Sequence, residues 1–191
     1  ISLIGSLIAG TVLPDQVDTL NQYNNTKVAN QMETEYKDSV YEAIVWAKKR
    51  GIISQYADGT FKPDDLVTEA QFAKMLSKFL GLKDDKGNLI KNTPDSHWAD
   101  EYYDGLAAYG TPLNGYFDNT LRNKPVKRGV VAQAIGHLTG NTTSLSEAIH
   151  FMNAKGIKTA PNIRFKGPFF DSTNDITRAQ VAVLLYRMHK V

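Results

Sequence analysis

Arg128 and Arg178 are the side chains of this sequence best suited to grip an anion. Each stands one residue after a helix-start position, Lys127 and Thr177, and so falls in the first turn of an expected helix. A guanidinium offers a planar fork that makes two parallel charge-assisted hydrogen bonds to a carboxylate. The first turn of a helix adds backbone N–H groups and the positive end of the dipole. That chemistry is recognition rather than bond-making. The plainer reading of either arginine is a surface salt bridge or a solvated helix start.

Covalent and metal chemistry find little in the residue inventory. The chain has no cysteine, which excludes a thiol nucleophile, a disulfide framework and thiolate metal ligands. His97, His137, His150 and His189 form no pair at ligand spacing, and no nucleophile elbow, phosphate-binding loop or dinucleotide glycine fingerprint occurs. Asp58, Asp64 and Asp65 lack the alternating ligands and closing glutamate of a calcium loop. No catalytic residue, metal or cofactor is expected. A formal charge of +2, with basic residues spread along 191 positions, gives no support to nucleic-acid binding.

The elements that hold the arginines are written in a recurring pattern. Tyr56-Ala-Asp58-Gly59-Thr-Phe61 is a tight turn, because Gly sits cheaply at positive φ. Thr68 then caps a helix, with Gln71 placed to reach back as a capping box, and Phe72, Met75, Leu76 and Phe79 give that helix one apolar face. The segment Val67-Thr-Glu-Ala-Gln-Phe-Ala73 returns as Val126 to Ala132 and as Ile176 to Ala182, its cap positions 59 and 50 residues apart. Core positions recur with it: Met75, Ala134 and Leu184; Leu76, Ile135 and Leu185. Such a period marks a repeated supersecondary unit.

An earlier helix precedes each of these. Val40, Ala43, Ile44 and Ala47 share a face ahead of Gly51; Trp98, Tyr102, Leu106 and Tyr109 lead to Gly110; Glu147-Ala148-Ile149 leads to Gly156-Ile157. The second turn reads Tyr116-Phe-Asp118-Asn119, with Asn expected to take over the positive φ of Gly59. The third, between Thr159 and Phe170, has lost the Asp-Gly pair. Residues 1–13 are uncharged and mostly apolar, read either as the remnant of a secretion signal or as a buried helix. They are too short to cross a bilayer, so no membrane insertion is expected.

Gly51-Ile52, Tyr-x-Asp-Gly-Thr-Phe and above all Ile176-Thr-Arg-Ala-Gln180, in this order and threefold, resemble the S-layer homology (SLH) domain over roughly residues 36–191. The resemblance implies a mainly α fold in which three helix-turn-helix SLH repeats pack as a pseudo-threefold prism. The divisions are a lead-in over 1–35 and repeats over 36–91, 92–141 and 142–191. It further implies a non-catalytic, monomeric module, secreted and held at the Gram-positive surface layer by an acidic, possibly pyruvylated, secondary cell-wall polysaccharide. Arg178 and Arg128 would then hold the acid, Asp58, Asp118, Asn174 and Asp175 would accept from sugar hydroxyls, and Trp98 or Tyr116 would stack on a sugar face. Glu69 departs from the pattern, standing where an arginine belongs; it is expected to repel an anion, leaving the groove of Arg178 the best site. The alternative is a degenerate scaffold for protein–protein contact in the surface layer.

Overall fold

Several helices in this protein end where glycine lets the chain turn left-handed. The computed structural model describes residues 39–82, 96–157 and 172–191. The chain divides into two units, residues 1–39 and 40–191, and the elements below belong to the second. Expectations for the lead-in over 1–35 and the loop between Thr159 and Phe170 lie outside the described residues.

The described chain is mainly helical, as expected. In order it holds α1 (residues 40–49), α2 (Glu69–Leu80), α3 (Asp100–Ala108), a 3-10 turn (Asn114–Phe117), the single turn α4 (Asn119–Arg122), α5 (Arg128–Gly140), α6 (Leu145–Ala154) and α7 (Arg178–Lys190). After α1, α3 and α6 the same stop appears. Gly51, Gly110 and Gly156 take φ of 68°, 98° and 67°, and the N–H of the residue after each reaches back to a carbonyl five positions earlier. Thr68 and Thr177 both form the capping box read from the sequence, whereas Lys127 makes no side-chain cap.

Helices α2, α5 and α7 bury the same positions. Phe72, Val131 and Val181 are enclosed, as are Ala73, Ala132 and Ala182, and Leu76, Ile135 and Leu185. The apolar residues just before the caps, Val67, Val126 and Ile176, are buried too. These three entry segments bond to one another in a closed circuit: Leu66 bridges Thr177, Thr68 bridges Pro125 and Lys127 bridges Asp175, all antiparallel. Val67 N–H donates to Ile176 O at 3.0 Å and Val126 N–H to Val67 O at 2.9 Å. A helix start normally leaves its first N–H groups without partners. Here the neighbouring entry segment supplies them.

One turn differs from its expected form. Asn119 does not take positive φ, since among the described residues only Lys62 and Asn141 do so without being glycine. Asp118 instead caps α4, its Oδ1 accepting from Thr120 N–H at 2.8 Å and Leu121 N–H at 3.4 Å. An Asp cap followed by a helical turn reverses the chain without needing a left-handed residue.

Candidate functional site

The first residues of α7 and α2 point their side chains at turns from another part of the chain. In α7 this residue is Arg178, 6% exposed. Its Nε donates to Phe61 O at 2.8 Å and its Nη2 to Ser54 O at 2.6 Å, so the fork closes the Tyr56 to Phe61 turn from both ends. The guanidinium also lies over the rings of Tyr56 and Phe61, 4.5 and 4.8 Å from their centroids. The backbone is used as well: Arg178 N–H donates to Asp65 O and Ala179 N–H to Pro63 O. An open guanidinium beside unpaired helix-start N–H groups was expected; this one is set inside the protein. Asp58 sits on the outer side of the same turn, exposed, its Oδ1 accepting from Thr60 Oγ1 at 2.6 Å and Thr60 N–H at 2.9 Å. Those two bonds from Thr60 hold its carboxyl below the usual aspartate range.

In α2 the equivalent residue is Glu69, 5% exposed. Its Oε1 accepts from Gly115 N–H at 2.6 Å and from Tyr103 Oη at 3.1 Å. Arg122, with no exposed surface, stands behind them: Nε donates to Gly115 O at 2.7 Å, Nη2 to Tyr116 O at 3.1 Å and Nη1 to Asp100 at 2.5 Å, with the guanidinium 4.1 Å from the Tyr103 ring centroid. Burial raises the Glu69 carboxyl above the ordinary glutamate value, and the bonds from Gly115 and Tyr103 and the nearby Arg122 charge only partly oppose it. Gly115 has no room to be anything else, since a Cβ there would lie 2.7 Å from Glu69 Oε1 and 2.8 Å from Arg122 Cγ. Glu69 therefore does not face a groove to repel an anion; it is a buried plug.

In α5 the residue is Arg128, half-buried, whose N–H donates to Asn174 O at 2.8 Å while Gly129 N–H donates to Ser172 O at 2.9 Å. Asp175 lies beside it and pairs with Lys127, Nζ to Oδ1 2.7 Å. Seven of the eight expected site residues thus fall into three places, and Trp98 lies apart from them. Arg128, Asn174 and Asp175 share one entrance; Arg178 and Asp58 share a turn; Tyr116 and Asp118 share the turn that receives Glu69. Trp98 is 55% exposed, its ring against His97 and Tyr102, and His97 Nε2 lies 3.0 Å from Asn123 Oδ1. Tyr116 packs on the core and edge-on to Phe117.

Sequence reading missed Arg122, Tyr103 and Gly115. The signal for them was Glu69 itself, because a carboxylate in an arginine's place needs donors where the arginine needs carbonyls. Among the described residues no cluster of three potential metal ligands occurs, and no helix is long and apolar enough to cross a membrane.

Residues 37–73 match the family model of the S-layer homology domain. The matched span runs from α1 through the turn that seats Arg178 and into α2. A cellulosome-anchoring protein of Acetivibrio thermocellus is 37% identical over 93 residues, covering 45% of this chain and 21% of that protein. Cell surface glycoprotein 1 of the same organism is 36% identical over 93 residues, covering 42% of this chain and 4% of that protein. The chain spans about a fifth or less of the length of these relatives.

Proposed function

We propose that this chain is a non-catalytic wall-binding module that holds a secreted protein at the Gram-positive cell surface. Three SLH units, over 36–91, 92–141 and 142–191, close on each other as a pseudo-threefold prism and bind an acidic secondary cell-wall polysaccharide. The observation that carries this reading is the S-layer homology match over residues 37–73, supported by relatives whose names are those of an anchoring protein and a surface glycoprotein. The closed circuit of entry segments supports three equivalent units. The acid, pyruvylated or not, meets the entrance where Arg128, Asn174 and Asp175 come together. Asp58 and Trp98, both exposed, contact sugar from their own loops. Arg178 is a positioning residue that shapes the turn carrying Asp58, and not every groove takes the acidic unit.

A specific observation favours a second reading, a surface-layer scaffold that has kept the fold without sugar binding: both Glu69 and Arg178 are spent inside the protein. Co-sedimentation with purified wall separates the two. Anchoring predicts retention that falls at least tenfold when the polysaccharide is extracted, and a further loss in Arg128→Ala. Equal retention on stripped wall supports the scaffold.

A further inference from the structure

The middle unit has given up bulk at two positions that its sister units fill, and both line one cleft. The cleft lies between the 110–114 loop, the flank of α5 and the 142–144 loop, and encloses about 390 Å³. Ala134 stands on its wall where α2 carries Met75 and α7 carries Leu184. Thr111 follows the stop glycine of α3, where Ile52 and Ile157 follow theirs. Thr111 is 3% exposed, and its Oγ1 has no hydrogen-bond partner among the described residues. A buried hydroxyl without a partner is destabilising, and an isoleucine would avoid it. Val130 continues the exchange, replacing the capping-box glutamines Gln71 and Gln180 with a shorter apolar wall.

We infer that this cleft binds an uncharged sugar unit. Its volume suits a single pyranose. Leu113, Val130 and Ala134 offer apolar surface to ring C–H groups, while Asn114, Gln133 and His137 bring side chains that donate and accept, the combination vicinal hydroxyls require. Among the described residues no Lys, Arg, Asp or Glu lines it, so a sugar carboxylate finds no ammonium or guanidinium there to replace its hydration. The cleft therefore complements the acid-binding entrance at Arg128 by taking a neutral unit. The source of that sugar rests on the wall-polysaccharide reading above; the chemistry of the cleft does not.

The test is an NMR titration of the isotope-labelled chain with methyl glucoside, methyl galactoside, methyl N-acetylglucosaminide and, as the charged probe, glucuronate. Uncharged glycosides are expected to shift the amides of Thr111, Gln133 and His137, with affinities on the order of millimolar. Ala134→Leu, which installs the residue α7 already accommodates, is expected to abolish those shifts while keeping the fold and the melting temperature. Thr111→Ile is expected to do the same and to melt higher. Silence toward every uncharged glycoside overturns the inference. So do shifts that survive Ala134→Leu, or an equal response to glucuronate. Wall co-sedimentation of the same variants separates the two levels: sugar shifts in a chain that stripped and intact wall retain equally leave the cleft standing and remove the anchoring reading. Selective wall retention with a silent cleft does the reverse.

Discussion

Glu69 and Arg178 occupy the same helix position with opposite charge, and both are buried. What differs is the turn that receives them. The Ser54 to Phe61 turn presents two carbonyl oxygens and two aromatic faces, a socket for a cation. The Gly115 to Arg122 turn presents an N–H, reinforced by the Tyr103 hydroxyl and the Arg122 guanidinium, a socket for an anion. Charge at this position is set by its socket, so an arginine there is not by itself a sign of an acidic ligand. The two junctions are polar plugs that fix helix entrances.

The largest break in this comparison comes from Glu69→Arg. It places a second guanidinium beside Arg122 and sets donors against donors, and is expected to lose about 4 kcal/mol or more in denaturant unfolding. An open groove position would tolerate it without loss. Arg178→Ala comes next, with about 2–3 kcal/mol lost as the carbonyls of Ser54 and Phe61 lose their charged donor. Arg178→Lys should recover only part, because an ammonium cannot reproduce the fork.

The smallest effect sharpens the contrast through pH. The folded state holds the Glu69 proton more tightly than the unfolded chain, so this group's contribution is fully present below its ordinary value of 4.5 and is lost as pH rises through the raised folded value. Glu69→Gln keeps acceptors for Gly115 and Tyr103 and is expected to remove that part of the pH slope. A slope unchanged in the variant would assign it to other groups. Asp100 acts in the opposite sense: burial raises its pKa, but the His97 N–H and Arg122 outweigh it and leave the value lowered.

Local signals were legible in the sequence. The boxes at Thr68 and Thr177 and the stop glycines involve residues within about a helical turn of each other, and the core positions recur with them at a fixed offset. The plugs were not. Glu69 finds Tyr103 and Gly115 at separations of 34 and 46 residues, and Arg178 finds Phe61 and Ser54 at 117 and 124. A helix-start residue looks alike in sequence whether it faces water or a distant turn. Asn119 failed for a shorter-range reason, since Asp118 outcompeted it by capping a helix.

The inward placement of Arg178 is most directly read from its Nε–H signal in the NMR spectrum of the native chain. With Phe61 O at 2.8 Å, that proton is expected to exchange slowly with water and to hold its shift when wall polysaccharide is added. Exchange at the rate of a solvent-exposed arginine, or a shift that follows the polysaccharide, would contradict the plug and return Arg178 to the ligand.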